Sequence, residues 1–365
     1  MTYKNGLKPL SWLYGCILSV RNALYDSQFY RSHIPTQRCV AVGNLAVGGT
    51  GKTPAVEYLL RYLLSLGKPL TGEIATLSRG YGRKTRGFRL ATAVDSAETI
   101  GDEPLQLFRN FAPIVTVCVG ERRAEALQQL VIARPDVQTV VLDDAYQHRA
   151  ITPHLNLLLT DYNRPFYLDD PFPGGRLRET REGARRAHAV IVTKCPHDPP
   201  PAERTIIENQ IRRYTQFKTG QPDVAVLFAG LAYDQPRRFS DQTATHINGP
   251  VHLVSGLANA NSLVRYVTDT WGLAKQTDFG DHHAYTRSDV TRLLAQTPPD
   301  TWLLTTQKDE VKLAPLLTDE EQQNWLLAYL PVRMVFFQPD DAATLTRLVD
   351  ECLRGPAGRP GLKNR

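Results

Sequence analysis

The stretch CVAVGNLAVGGTGKTPAVEYLLRYLLSLG (39–67) decides the fold. Cys39–Leu45 is an apolar run of strand length, Ala46–Thr53 is rich in glycine, and from there apolar residues recur at helical spacing. Strand, glycine-rich turn and helix in that order form the context in which a turn cradles phosphate. Glycines let backbone N–H groups converge on phosphate oxygens, and the start of the helix adds positive potential. On this reading Gly48, Gly49, Thr50, Gly51, Lys52 and Thr53 cradle a nucleotide. Lys52 pairs with the β- and γ-phosphates, and the Thr53 hydroxyl ligates Mg²⁺. The first position of the G-x-x-x-x-G-K-[ST] pattern is Ala46 rather than glycine.

The alternation continues outward. Glu73–Ser78 reads as a second strand, leading into SRGYGRKTRGFRL (78–90), where glycines and basic residues predict a hairpin or exposed loop. Asp102–Phe111 reads as a helix with two acids and Pro104 in its first turn. Strand IVTVCVG, helix ERRAEALQQLVIA, strands TVVLDDAY, LNLLLTD and AVIVTK, and a helix over 202–214 follow. Strands alternating with helices predict a parallel, doubly wound sheet. After Pro222 the texture changes, and residues 223–257 read as strands near a hairpin, the first part a connector. A second, smaller alternating block runs through VHLVSGL, ANSLVRYVTDTWG, SDVTRLLAQ, TWLLTTQ, a Trp/Leu-rich helix, VRMVFF and ATLTRLVDECL.

Composition narrows the class. In 365 residues, 42% are hydrophobic, enough for a real core, which excludes a disordered, collagen-like or coiled-coil chain. The five cysteines are scattered and never in a CxxC pair, which argues against a disulfide framework or a zinc site and favours a reducing cytoplasm. The net charge of +6 is concentrated at the ends. Residues 1–38 hold five basic side chains against one acid and 354–365 hold four against none, leaving the body two units negative. Basic ends on a near-neutral body suit an anionic membrane surface better than nucleic acid.

LSWLYGCILSV (10–20) is too short to span a bilayer, which takes about 20 residues, and no small-residue cleavage site follows. At helical spacing Leu10, Leu13, Tyr14, Ile17, Leu18 and Leu24 make an apolar stripe with Trp12 and Tyr25 as amphipathic anchors. The stripe fits a helix lying in a membrane interface, and equally a helix packed on the protein's own core.

Several short motifs carry chemistry. Val140–Asp144 is an apolar strand ending in Asp143 and Asp144, which beside a phosphate loop brings an acid to Mg²⁺. Asp102 and Glu103 open a helix; they serve either as dipole-stabilising residues or as a metal ligand and a base for an attacking hydroxyl. Asp281-His282-His283 lies in a loop, where histidine orients a base, holds a phosphate or is merely solvated. Ser78–Gly82, followed by Arg83, Lys84, Arg86 and Arg89, is either an anion-binding loop or a solvated basic hairpin. Val192–Cys195 is similar to the base-reading strand end of some phosphate-loop proteins but lacks its aspartate.

Together GNLAVGGTGKTP (43–54), LSRGYGR (77–83), GDEP (101–104), VLDDAYQHR (141–149), GGRLRE (174–179), DHHAYT (281–286) and TTQKDEVKL (305–313) resemble the tetraacyldisaccharide 4′-kinase family, the lipid A 4′-kinases of Gram-negative bacteria. The resemblance covers roughly residues 10–340; Ala46 and Ala145 stand where the family usually has glycine. It implies ATP and Mg²⁺, and phosphorylation of the 4′-hydroxyl of an acylated glucosamine disaccharide 1-phosphate at the cytoplasmic face of the inner membrane. It also implies two α/β/α domains, doubly wound and of the P-loop NTPase type, joined by a short β linker with substrate in the cleft between them. Carried onto this chain, Lys52 and Thr53 hold phosphate and magnesium, and Asp102 is the base, oriented by His282 rather than His283. Glu103, Asp143 and Asp144 serve the metal directly or through water, while Arg123 and Arg178 (rather than Arg176) neutralise the transferring phosphoryl group. The expected boundaries are an interfacial helix over 1–30, the phosphate-loop domain over 31–222, the linker over 223–248, the smaller domain over 249–354 and a flexible basic tail over 355–365. A membrane-associated regulatory NTPase switch is the competing reading.

Overall fold

The computed structural model describes residues 7–216 and 223–355, so nearly all of the expected basic tail lies outside the described residues. Chain order begins α1 (Lys8–Asp26), β1 (Arg38–Asn44), α2 (Lys52–Leu66), β2 (Glu73–Ser78), β3 (Arg89–Leu90), α3 (Asp102–Phe111), β4 (Val115–Val119) and α4 (Arg123–Ala133). It continues β5 (Val137–Asp143), β6 (Leu155–Asp161), β7 (Ala189–Thr193), α5 (Pro201–Thr215), β8 (Ala225–Tyr233), β9 (Arg237–Arg238) and β10 (Val251–Ser255). The last elements are α6 (Asn261–Trp271), β11 (Leu273–Asp278), α7 (Arg287–Gln296), β12 (Trp302–Thr306), α8 (Gln307–Leu313), β13 (Leu327–Leu330), β14 (Val332–Phe336) and α9 (Pro339–Arg354).

Strand β1 sits near the middle of a nine-stranded sheet of order β14-β8-β7-β6-β1-β5-β2-β4-β3. All pairings are parallel except at the two edges, where β14 on β8 and β3 on β4 are antiparallel. Central strands covered on both faces carry near-continuous apolar runs, as Cys39–Val42 and Val140–Leu142 do. On one face α2 supplies Val56, Leu59, Leu60 and Leu63, and α3 supplies Leu107 and Phe111. On the other, α4 supplies Ala126, Leu127 and Leu130, and α5 supplies Ile207 and Ile211. Strand β1 pairs on both sides with strands reached by crossovers, so its carboxyl end lies at a switch point where ligands of such sheets bind.

A second sheet, β11-β10-β12-β13-β9, forms the core of the smaller domain, parallel except for the edge strand β9. The doubly wound expectation holds, but its boundaries need three corrections. First, β8, expected in the linker, is an interior strand of the large sheet, paired to β7 from Ala189↔Ala225. Second, β14 and α9, expected in the smaller domain, return to the large one. Strand β14 closes its edge, and Leu345, Val349 and Leu353 of α9 enter the same core as α2. The physical reason is that an apolar strand and an amphipathic helix do not name the sheet they complete; the free edge at β8 does. The smaller domain is thus an insertion spanning roughly β9 to β13. Third, the expected Trp/Leu-rich helix is a short helix, Asp319–Asn324 capped by Thr318, followed by strand β13. Leu327–Leu330 is buried at every position and leaves no polar face for a helix to show to water.

Helix α1 forms as expected but docks the other way round from a core helix. Its buried residues are Ser11 and Gly15, set against the 171–180 segment: Ser11 Oγ accepts from Gly174 N at 2.7 Å, and Gly15 lies on Pro171 and Thr180. Asn22 donates to Glu179 Oε1 at 2.6 Å. Half of the apolar stripe faces outward, with Trp12 72% and Ile17 60% exposed beside Leu10 and Leu13, while Tyr14, Leu18, Leu24 and Tyr25 are half-buried and Tyr14 packs on Phe172. Packing on the protein itself therefore explains only part of the stripe. No helix among the described residues is long and apolar enough to cross a membrane.

Candidate active site

The glycine-rich turn joins β1 to α2 with Gly48 at φ +112° and Gly51 at φ +78°, backbone that a side chain resists. A Cβ added at Gly48 or Gly49 would touch nothing within 4 Å, so these glycines do not serve packing; they leave bare N–H groups open to a ligand. The loop is held from beneath. Asn44 Nδ2 donates to Thr50 Oγ1 at 2.8 Å, Thr193 Oγ1 donates to Thr50 O at 2.8 Å, and Lys194, at the end of β7, donates to Gly49 O. Thr50 thus turns its hydroxyl inward and offers the site only its backbone. Lys52 and Thr53 open α2, and Lys52 Nζ stands 3.8 Å from Asp144 Oδ1.

The register Val42↔Asp143 places the end of β5 beside the start of this loop. Asp144, at φ +48°, receives a two-pronged contact from Arg178 at 2.8 and 2.9 Å, and Arg178 also reaches Asn44 Oδ1. Burial opposes its charge, yet Arg178 and Lys52 hold the Asp144 carboxyl far below the ordinary range. Asp143 behaves oppositely: burial first, then Glu103 and Asp144, push it up to about 7. Its Oδ1 is buried without a hydrogen-bond partner. Arg176 is exposed, its backbone carbonyl accepting from Val47 N of the loop at 2.8 Å, and Arg178 rather than Arg176 makes the contact to Asp144. Arg123, expected in the cleft, is only 2% exposed and bonds the carbonyls of Gly120 at 2.5 Å and Asp143 at 3.3 Å. Burial lowers it to about 10, and it stands behind Asp143 and Asp144 as a fixed positive charge.

The second half of the site is built where the domains meet. Gly101 at φ +94° ends one short helix and begins α3; a Cβ there would lie 3.0 Å from Tyr81 O and 3.1 Å from Gly80 Cα. That close approach sets the 79–82 loop over Asp102 and Glu103. Asp102 Oδ1 accepts from Glu103 N at 2.9 Å, and Oδ2 meets His282 Nδ1 at 3.0 Å. His282, at φ +58° in the loop before α7, lies 5.0 Å from the Tyr81 ring. His283 instead contacts Asp289 at 3.4 Å and packs on Phe279 and Tyr285 within its own domain. Burial works against the Asp102 carboxylate, but His282 and Lys308 hold it below the ordinary range. The bond to Asp102 raises His282, against burial and Lys308.

Sequence reasoning assigned no role to Asn44, Lys308 or Lys312. Lys308 Nζ lies 3.1 Å from His282 Nε2, 3.5 Å from Glu103 and 3.6 Å from Asp281; Lys312 is 3.8 Å from Asp102. A usable signal was the T-x-x-D start of α8, where Thr306 and Asp309 cap each other and project the intervening Lys308. Helix α8 is fastened to α3 by Arg109, which contacts both Glu310 oxygens at 3.0 Å, and by Gln307 on Asn110 at 2.7 Å. The basic cluster after Tyr81 is largely spent internally: Arg83 on Glu121 at 2.5 Å, Lys84 on Glu98 at 2.7 Å and Arg89 on Asp95 at 2.6 Å.

The family model described as Tetraacyldisaccharide-1-P 4′-kinase matches residues 3–353. The chain belongs to the tetraacyldisaccharide 4′-kinase family. A Tetraacyldisaccharide 4′-kinase of Cytophaga hutchinsonii is 40% identical, covering 90% of each chain. That of Bacteroides thetaiotaomicron is 37% identical over 86% of this chain and 84% of the relative. Among solved structures, LpxK from Aquifex aeolicus in complex with ATP superposes with a TM-score of 0.71 at 26% identity, covering 96% of this chain and 99% of that one. In this member of the tetraacyldisaccharide 4′-kinase family neither Ala46 nor Ala145, where the resemblance led one to expect glycine, has a positive φ. Both positions therefore accept a Cβ without strain.

Proposed function

We propose that the chain transfers the γ-phosphoryl group of ATP to the 4′-hydroxyl of an acylated glucosamine disaccharide 1-phosphate. The observation that carries this reading is the contact of Asp102 in one domain with His282 in the other, next to Glu103, whose charge acts on Asp143 beside the phosphate loop. Phosphoryl transfer asks mainly for positioning and charge neutralisation. Lys52 neutralises the β/γ-phosphates, and Arg178, released from Asp144 as nucleotide enters, covers the transferring group. Asp102 takes the proton as the hydroxyl oxygen attacks phosphorus and the bond to ADP breaks. Mg²⁺ would be held by Thr53 and Asp143, with Glu103 and Asp144 in direct or water-mediated support; it supplies Lewis-acid neutralisation when bound. The partnerless Asp143 Oδ1 fits that cation.

Because Asp143 must shed its proton to bind metal, and its pKa is raised to about 7, Mg²⁺ affinity is full above that pH. The Mg²⁺ concentration for half-maximal turnover should rise roughly tenfold per unit as pH falls below it, and Asp143→Asn should remove that slope. A flat Mg²⁺ requirement from pH 8 to 5.5 would count against the assignment.

The outward half of the α1 stripe fits the anionic inner-membrane surface at its cytoplasmic face, bringing the cleft to a substrate that scarcely leaves the bilayer. Leu13 and Ile17 are exposed, so Leu13→Ser with Ile17→Ser should spare the fold. At about 1.5–3 kcal/mol per buried side chain, partition onto anionic vesicles should fall roughly 10²–10⁴-fold, read by co-sedimentation. Unchanged partition would remove the membrane role. The decisive assay is thin-layer detection of labelled phosphate moving from ATP to the acylated disaccharide. ATP turnover indifferent to the lipid would favour the regulatory switch.

A further inference from the structure

Lys308 has not been given a part in the reaction, yet it stands closer to the imidazole of His282 than any group but Asp102. An ammonium has three N–H donors and no lone pair, so at 3.1 Å it donates to Nε2, which must be bare. The ring hydrogen then sits on Nδ1 and is donated to Asp102 Oδ2 at 3.0 Å. Asp281 Oδ1, at 3.9 Å from Nε2, is too far to claim a hydrogen there. The Tyr81 ring lies beside the imidazole at a centroid distance of 5.0 Å. Asp102 from α3, Lys308 from α8, Asp281 beside it and Tyr81 from the 79–82 loop are the charged and titratable groups facing this ring. Both ring nitrogens are engaged.

We infer that Lys308 closes Nε2 of His282 and fixes the ring hydrogen on Nδ1, so that the imidazole orients Asp102 and leaves it to take the proton from the acceptor hydroxyl. Lys308 is thus a positioning residue: it settles which partner is base and which is orienter. The inference rests on the reading of Asp102 and His282 as the proton-accepting pair. It also ties proton transfer to domain contact, because Asp102 belongs to one domain while Lys308 and His282 belong to the other. Glu103 and Asp281, at 3.5 and 3.6 Å, hold the ammonium in place. Lys312 does not duplicate it, donating to His283 O at 3.1 Å and forming an ion pair with Asp309 Oδ1 at the same distance.

The test is long-range ¹H–¹⁵N correlation of the full chain labelled at histidine, with the His282 signals identified by their loss in His282→Gln. At about pH 9, where a free imidazole is neutral and lysine still charged, wild type should show hydrogen on Nδ1 and a bare Nε2. A ring protonated at Nε2 would overturn the inference without recourse to any variant. Titrating downward, Lys308→Met should raise the His282 midpoint by about one unit or more, since a like charge beside the ring has gone. Lys308→Arg, which keeps donor and charge, should stay near wild type. An unmoved or lowered midpoint in Lys308→Met would equally overturn the assignment. Turnover of Lys308→Met should fall about 10–100-fold, the usual cost of losing a group that orients a reacting one, with the nucleotide KM unchanged. Failure of the underlying reading has a different signature. Asp102→Ala would then turn over normally, whatever tautomer His282 adopts.

Discussion

Asp102→Ala and His282→Ala should each lower kcat by roughly 10²–10⁴, and the double variant should be little worse than either single one. A lone carboxylate with a pKa near 4 is a weak base. Burial in a 6%-exposed site beside an imidazole, two lysines and the backbone N–H of Glu103 fixes its direction instead. Since His282 acts only through Asp102, removing both should cost no more than removing the base. Their residence in different domains makes the pair conditional on domain contact, which keeps ATP from reacting with water. Single-turnover kinetics on the acylated disaccharide would read the effect, with nucleotide affinity as the control. Losses that multiply in the double variant would mean that the two residues act independently. A silent His282→Ala would leave the loop before α7 as a substrate holder only.

Lys52→Ala should cost on the order of 10³-fold in kcat, because neutralising the charge that develops on the transferring group lowers the barrier more than most other effects such a site can exert. The fold should survive. Lys52 Nζ meets Asp144 only at 3.8 Å, and Asp144 keeps its two-pronged contact with Arg178 when the lysine is gone. The thermal midpoint should therefore move by no more than about 2 °C. Lys52→Arg should remain poor despite equal charge, since a planar fork does not replace a compact ammonium in a tight backbone cradle. A folded Lys52→Ala protein with near-normal turnover would remove the phosphate-loop assignment.

Much of this site is local chemistry and so is legible in one dimension. A glycine-rich turn between strand and helix needs only its own φ angles, and Gly48 and Gly51 adopt them. Asp102 at the start of α3 and Asp143 at the end of β5 follow from strand and helix boundaries that apolar periodicity marks. The choice of His282 over His283 was of another kind. Two adjacent histidines differ only in where the chain points them, one across the domain boundary and one into its own core. Arg123 likewise reads as a reaching cation, yet its place under the ends of β4 and β5 makes it a brace.

The amino-acid sequence by itself determines the alternating architecture, the phosphate loop, the acids at element ends and the family, because each rests on spacing within a few residues. Tertiary structure alone decides that β8, β14 and α9 complete the large sheet, since an apolar strand pairs with whichever edge remains open. It alone decides that Leu10, Trp12, Leu13 and Ile17 of α1 turn outward, because Ser11 docks so close to Gly174 that a side chain there would clash. And it alone brings Lys308 to His282: 26 positions separate them along the chain, and only the packing of α8 beneath the loop before α7 makes them neighbours.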